Sequence, residues 1–282
     1  MKNIGVYINP ELCNKEKIFL LLEKLADQQK LKFFYFEPQK GCFPDFVNIF
    51  DNQIKLECIL SFGGDGTFLR AAHLSLNNSA PLLGINMGKL GFLSDSNLHE
   101  LENSIDQIKN QKFKIQKRML LKIWLKRQNK VVFSSLALND AVIYKGETPR
   151  LIEIKLFSNR RFVLTTRCDG IIVSTPTGST AYSLAAGGPL MSPVLDAIIV
   201  SPLNPHVLSV RPMVFAAEDK LHFKVIDIFS DAILQLDGKN AVKLLKGDEI
   251  KITAAAKKVD IIKLTNKTFY QILRKKLHMG KK

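Results

Sequence analysis

The chain has 282 residues, 46% of them apolar and 24% charged, a length that allows two domains with cores of their own and a composition that excludes a disordered chain. Its 41 Lys and Arg against 26 Asp and Glu leave a formal charge of +15, yet these cations are scattered and not interleaved with aromatic residues as in an RNA-binding surface. The expectation is a solvated basic face that attracts small polyanions, with no nucleic-acid partner.

The first elements alternate between strand and helix. An apolar run at 4–8 reads as a buried strand, and Ile18, Leu21, Leu22 and Leu25 recur at helical spacing. Runs at 32–36, 58–62 and 82–85 predict further strands, and Leu98, Leu101, Ile105 and Ile108 mark another helix face. Strands separated by helices imply a mostly parallel sheet covered on both sides, over residues 1–118. From Met119 the period becomes two. Leu121, Ile123 and Leu125 alternate with Lys122, Trp124 and Lys126, and Ile152, Ile154 and Leu156 with Glu153 and Lys155. Further strands are predicted at 162–166, 171–174, 197–200, 221–225, 232–236, 250–254 and 259–264, which makes 119–265 an all-β, sandwich-like domain. The chain closes on a basic tail over 266–282 that includes Arg274-Lys275-Lys276 and Lys281-Lys282.

No apolar stretch approaches the ~18 residues of a membrane span, and the N-terminus lacks a signal-peptide core, so neither a membrane nor secretion is expected. Cys13, Cys42, Cys58 and Cys168 have no CxxC spacing and no adjacent histidine. A zinc site and a disulfide framework are therefore not expected, and a reducing cytoplasm fits best.

The run Ile59-Leu60-Ser61-Phe62-Gly63-Gly64-Asp65-Gly66-Thr67 delivers a carboxylate, flanked by glycines, to a helix start. Glycines able to take positive φ, followed by the unpaired N–H groups of a first helical turn, make an anion site. An Asp inside it would repel phosphate unless it coordinates a divalent cation or accepts a proton from an attacking hydroxyl, which points to phosphoryl transfer. A strand, a hydroxyl-rich turn and a helix start follow one another from Asp169 to Ser183. Thr177, Ser179 and Thr180 are candidates to cap that helix and donate to a nucleotide, and Tyr182 to meet a ring. Asn139-Asp140 sets an amide and a carboxylate among strand residues, suited to a base edge and to ribose hydroxyls, or else to a surface bulge.

These segments resemble the NAD kinase family. The resemblance spans most of the chain and rests on five segments: Gly63 to Thr67; Gly84-Ile85-Asn86-Met87-Gly88-Lys89-Leu90-Gly91-Phe92-Leu93; Asn139-Asp140; the approach Thr165-Thr166-Arg167-Cys168-Asp169-Gly170; and the block ending Thr180-Ala181-Tyr182-Ser183-Leu184-Ala185-Ala186-Gly187-Gly188-Pro189. The Gly-Gly-Asp-Gly loop by itself is shared with lipid kinases and phosphofructokinases; the combination is more specific. A noncatalytic dinucleotide sensor is the alternative of another class.

The resemblance implies an NAD kinase-like fold with an α/β domain, a β domain, a substrate cleft between them and a homotetramer, the chain end returning to the first domain. It implies ATP and NAD as substrates and a divalent cation, Mg2+, as cofactor. Asp65 would activate the 2′-hydroxyl, with Gly63, Gly64, Gly66 and Thr67 shaping the phosphate loop. Asn139 and Asp140 would hold adenine and ribose, and Asp169 and Ala181 the nicotinamide end. Thr180, Tyr182, Ser183, Leu184, Ala185 and Lys239 would line the same site. Arg70, Arg150 and Arg167 would bring guanidinium forks to phosphates, Arg167 from a neighbouring subunit. Three positions depart from the commonest pattern: Asp140 stands for Glu, Ala185 for Ser and Lys239 for Gln.

Overall fold

The computed structural model describes residues 2–13, 15–88, 91–147, 149–229, 231–265 and 267–280. Lys89 and Leu90 of the second glycine segment, Asn266, and Lys281 and Lys282 of the basic tail lie outside the described residues. The chain divides into two compact units, one running to Lys117 and resuming at Val259, the other spanning Arg118–Lys258.

The first unit opens with β1 (Asn3–Ile8), α1 (Lys15–Gln29), β2 (Lys32–Tyr35), the two-residue β3 (Asn48–Ile49), β4 (Cys58–Gly63) and α2 (Asp65–Asn78). It continues through β5 (Leu82–Asn86), β6 (Ser96–Asn97), α3 (Leu101–Lys109) and β7 (Lys114–Arg118). β1 and β4 form the centre, pairing in parallel from Ile4↔Cys58 to Ile8↔Phe62. β4 is buried along its whole length, as a strand covered on both faces should be. Leu60 and Phe62 of β4 and Leu83 and Ile85 of β5 share a core with Ile18, Leu22 and Leu25 of α1 and Leu101, Ile105 and Ile108 of α3. The helical spacing of those apolar residues puts them on one stripe, and burying that stripe holds the helices to the sheet.

The second unit comprises β8 (Leu121–Arg127), β9 (Lys130–Ala137), β10 (Asp140–Tyr144), β11 (Ile152–Ser158), β12 (Arg161–Cys168) and β13 (Gly170–Ser174), then the one-turn α4 (Tyr182–Ala185). There follow β14 (Ala197–Leu203), β15 (Met213–Ala216), β16 (Leu221–Asp227), β17 (Ile233–Leu236), β18 (Lys239–Lys243) and β19 (Glu249–Ala254). They form two six-stranded sheets, β12-β11-β16-β19-β8-β9 and β15-β14-β13-β10-β17-β18. Leu121, Ile123, Leu125, Ile154, Leu156, Phe223 and Ile250 of one sheet and Ala141, Ile143, Ile171, Val173, Val200 and Leu234 of the other join in a single core. This is the sandwich that the period-two pattern predicts. On the outer face of the second sheet, Val142, Ile172 and Leu203 pack with Tyr144 and Ala186, so the segment around α4 covers that face.

The last strand, β20 (Val259–Lys263), differs from its expected place in the β-rich domain. It joins the first sheet, parallel to β5 through Ile261↔Leu82. Its alternation marks a strand, but the pairing follows from burial on both sides, where Val259, Ile261 and Ile262 are all enclosed. The chain then forms α5 (Phe269–Leu277), whose start carries a reciprocal capping box between Thr268 and Gln271. Asp95 ties this return to the first unit: its buried carboxylate accepts from Leu264 N (2.6 Å), Thr265 N (2.9 Å) and Thr265 Oγ1 (3.0 Å) and pairs with Lys263. No helix among the described residues is long and apolar enough to cross a membrane.

Candidate active site

Asp65 is the first residue of α2, directly after the carboxyl end of β4. Its carboxylate does not cap its own helix. It accepts Phe92 N at 3.0 Å on Oδ2 and Leu93 N at 3.1 Å on Oδ1. The first and second glycine segments therefore meet on one carboxylate. Gly91 makes that possible: a Cβ there would strike Asp65 Oδ1 and lie 3.1 Å from both Asp65 Cγ and Ser94 Oγ. Lys276 of α5 completes the surroundings, with Nζ 3.7 Å from Asp65 Oδ2 and 4.3 Å from the centre of the Phe92 ring.

The glycine loop works differently from the expectation of positive φ. Gly64 and Gly66 have negative φ, and only Gly63, at +156°, lies on the positive side. A Cβ built on Gly64 or Gly66 would meet nothing within 4 Å, so these glycines leave a bare backbone face beside the start of α2, where N–H groups without intrahelical partners favour an anion. Thr67 is buried beneath the loop and its N–H bonds back to Gly64 O at 3.0 Å. Arg70 is exposed on the same helix.

In the second unit, Asn139 and Asp140 stand at the entry to β10. Asp140 is only 4% exposed. Burial, and then the charge of Asp237, push its carboxyl up to about 7. Asp169 lies where the chain passes from β12 of one sheet to β13 of the other. Its carboxylate pairs with Lys145 Nζ at 2.7 Å and accepts Asn204 Nδ2 at 2.8 Å. Burial raises its pKa, but these hydrogen bonds and the Lys145 charge prevail and hold it below the ordinary carboxylate value. Tyr182 is 44% exposed at the start of α4. Burial lifts its hydroxyl pKa, followed by the charges of Tyr144, Asp140 and Asp169, so these four groups face one another electrostatically.

The turn before α4 corrects a second expectation. No side chain caps α4 or the 3-10 turn at Gly178–Thr180. Ser179 Oγ donates to Pro176 O at 2.7 Å and accepts Met191 N at 3.1 Å, Thr180 Oγ1 donates to Thr177 O at 3.4 Å, and Thr177 Oγ1 is buried without a partner among the described residues. For Ser179 and Thr180, local carbonyls compete with the helix end for the hydroxyl. Ser183 is fully buried with its hydroxyl 3.1 Å from that of Ser201. Ala181 and Leu184 are half-buried and Ala185 exposed beside it. Gly178 must be glycine, since a Cβ would lie 2.6 Å from the carbonyl carbon of Asn139.

Three cations stand apart from this group. Arg167 is exposed and pairs with Glu153 at 2.8 Å across β11 and β12, in the sheet that does not carry Asp140. Arg150 stacks its guanidinium 3.8 Å from the centre of the Phe229 ring. Lys239 is exposed at the start of β18. Sequence reasoning overlooked Lys276, which looked like tail charge, and Asp237, whose carboxylate accepts Leu138 N, Asn139 N and Asp140 N. The Asp-Gly pair before Lys239 was the available signal for the latter, as a hairpin turn. Among the described residues, no three His, Cys, Asp or Glu side chains gather to hold a metal ion.

The ATP-NAD kinase N-terminal domain family matches residues 16–113, and the ATP-NAD kinase C-terminal domain family matches residues 138–264. The chain is 35% identical to the NAD kinase of Desulforamulus reducens over 98% of its own length and 97% of that protein's. To the NAD kinase of Magnetococcus marinus it is 40% identical over 79% of this chain and 73% of the relative. Its fold resembles yeast NADH kinase complexed with NADH, with a TM-score of 0.90 at 24% identity, covering 100% of this chain and 89% of the other. It also resembles an NAD kinase from Archaeoglobus fulgidus in complex with ATP, with a TM-score of 0.73 at 24% identity over 99% of each chain. With both domain families matched in order and a relative aligned over nearly the whole length, the chain belongs to the ATP-NAD kinase family.

Proposed function

We infer that this chain is an NAD kinase, transferring the γ-phosphoryl group of ATP to the 2′-hydroxyl of the adenosine ribose of NAD to make NADP. The observation that carries the chemistry is the Asp65 carboxylate, held at the start of α2 by the Phe92 and Leu93 amides and left with lone pairs to accept a proton. Asp65 would take the proton of the 2′-hydroxyl as that oxygen attacks the γ-phosphorus. The bare backbone at Gly64 and Gly66 would accept phosphate oxygens. Because the transition state of phosphoryl transfer is loose, alignment and charge stabilisation supply most of the acceleration.

Asn139 would read the adenine edge and Asp140 grip the ribose hydroxyls. Asp169 and Ala181 would receive the nicotinamide end, with Thr180, Tyr182, Leu184 and Ala185 lining the dinucleotide. Ser183, buried against Ser201, would support the turn. Arg70, Arg150 and Lys239 would face phosphates. Mg2+ is the divalent cation we propose, supplying positive charge to the ATP phosphates. A homotetramer in the cytoplasm, with Arg167 completing a neighbour's site, is the assembly we propose; its guanidinium, exposed and paired with Glu153 at 2.8 Å, would exchange that surface contact for the neighbour's ligand.

Purified protein incubated with NAD, ATP and Mg2+ should form NADP. Binding of NAD with no NADP formed would make the chain a dinucleotide sensor instead. A fully active monomer by light scattering at assay concentration would refute the tetramer.

A further inference from the structure

β17 and β18 are joined by Asp237-Gly238, with Leu236 paired to Lys239 and both turn residues at positive φ, 48° and 76°. This is the geometry of a two-residue type I′ hairpin, which Asp, Asn or Gly would each permit at the first position. The hairpin by itself therefore does not require a carboxylate at 237. The strand beside it does use one. Asp237 Oδ2 accepts Leu138 N at 2.9 Å, and Oδ1 accepts Asn139 N at 2.7 Å and Asp140 N at 3.2 Å. In return Asp237 N donates to Asp140 O at 3.0 Å. Three successive N–H groups converging on one side chain need two oxygens with four lone-pair sites, and an ionised carboxylate is the acceptor that offers them.

The carbonyls of the same segment are held from the opposite strand. Thr175 Oγ1 donates to Leu138 O at 2.6 Å, while Thr175 N and Ser174 Oγ donate to Asn139 O at 2.9 and 3.1 Å. The backbone of 138–140 is thus clamped on both sides. The arrangement carries an electrostatic penalty, because the half-buried Asp237 carboxylate sets its charge beside the buried Asp140.

We propose that Asp237 is a positioning residue for the dinucleotide: by accepting the three amides of 138–140 it sets the direction in which Asn139 and Asp140 reach the adenosine half. The proposal rests on the reading of this site as an NAD site. It has a second consequence. The negative charge of Asp237, after burial, raises the Asp140 pKa, and the other titratable groups facing Asp140 are Tyr182 and, around that ring, Tyr144 and Asp169. Removing the Asp237 charge should lower the Asp140 pKa.

The test uses Asp237→Asn and Asp237→Gly, both of which keep a residue suited to the turn. NAD affinity is measured by calorimetry without ATP, ATP affinity in parallel, and the ionisation of Asp140 by NMR of carboxyl-labelled protein. We expect NAD to bind about 10- to 100-fold more weakly, as when other supporting hydrogen bonds behind a ligand contact are lost. ATP affinity should stay within about twofold, and the Asp140 midpoint should fall in both variants. Unchanged NAD affinity in either variant, an equal loss for ATP and NAD, or an unmoved Asp140 midpoint would overturn the proposal. If the wild-type protein binds NAD but forms no NADP, the kinase reading fails while the NAD comparison still decides the role of Asp237.

Discussion

Lys276 places its ammonium 3.7 Å from Asp65 Oδ2 while lying 4.3 Å from the centre of the Phe92 ring, so the last helix of the chain supplies the cation that faces the candidate catalytic carboxylate. The contact spans more than 200 residues of sequence, and Phe92 serves it twice, through its amide to Asp65 and its ring to Lys276. Lys276→Met keeps the apolar stem over Phe92 and removes the charge. Its turnover should fall about 3- to 10-fold, the modest value of a partly exposed pair, with KM for NAD little changed. Lys276→Arg should recover most of the loss. Steady-state kinetics giving Lys276→Met the wild-type kcat would make the contact dispensable.

Asp65→Asn should lose roughly 10²–10⁴-fold in kcat while retaining most NAD affinity, because the amide keeps the size of the carboxylate but accepts no proton. One of its two amide contacts must also go, since an NH2 group cannot accept from Phe92 N or Leu93 N. Thermal unfolding should therefore show a loss of about 1 kcal/mol beside the kinetic defect. Turnover close to wild type would remove Asp65 from the chemistry.

Asp140 is a buried carboxyl whose ionisation opposes folding. Its carboxyl is raised from 3.8 to about 7 by burial and by Asp237, so between those values the folded state holds a proton that the unfolded state has released. Stability should accordingly fall as pH rises through that window and level off above it. Asp140→Asn, which cannot ionise, should be more stable than wild type at pH 8 by about 2–4 kcal/mol and gain far less at pH 5. Urea titrations at the two pH values measure this; an equal effect at both would mean Asp140 titrates normally.

If Asp140 grips the ribose as proposed, Asp140→Ala should lower kcat/KM for NAD by on the order of 10- to 150-fold, the scale of one lost charge-assisted hydrogen bond, with KM for ATP little affected. Asp140→Glu, the commoner family residue, should be far milder. Unaltered NAD kinetics in the Ala variant would leave Asp140 as a strand-entry residue and nothing more.

Asp95→Ala should destabilise the first unit by about 3–5 kcal/mol, because Lys263 would be left without its buried partner and two backbone N–H groups without an acceptor. Protection of α5 amides from hydrogen exchange should drop along with global stability. Unchanged protection there would show that Ile272 and Leu273 hold the helix unaided.

The local chemistry of this protein is written in consecutive residues. The buried run ending at Gly63-Gly64-Asp65 defines β4 and the start of α2, and the alternation from Leu121 onward defines the strands of a sandwich, because period and turn residues act over a few positions. The roles of Ser179 and Thr180 are not legible in the sequence for a different reason: each hydroxyl can serve a helix end or a nearby carbonyl, and in the fold both donate to carbonyls of the preceding turn. Only the tertiary structure decided that β20 lies beside β5, that Asp65 faces Phe92, Leu93 and Lys276, and that Asp237 holds the Asn139–Asp140 backbone. Such contacts join residues far apart in the chain through strand pairing and burial, and a period of two specifies which face of a strand is apolar without naming the partner it meets.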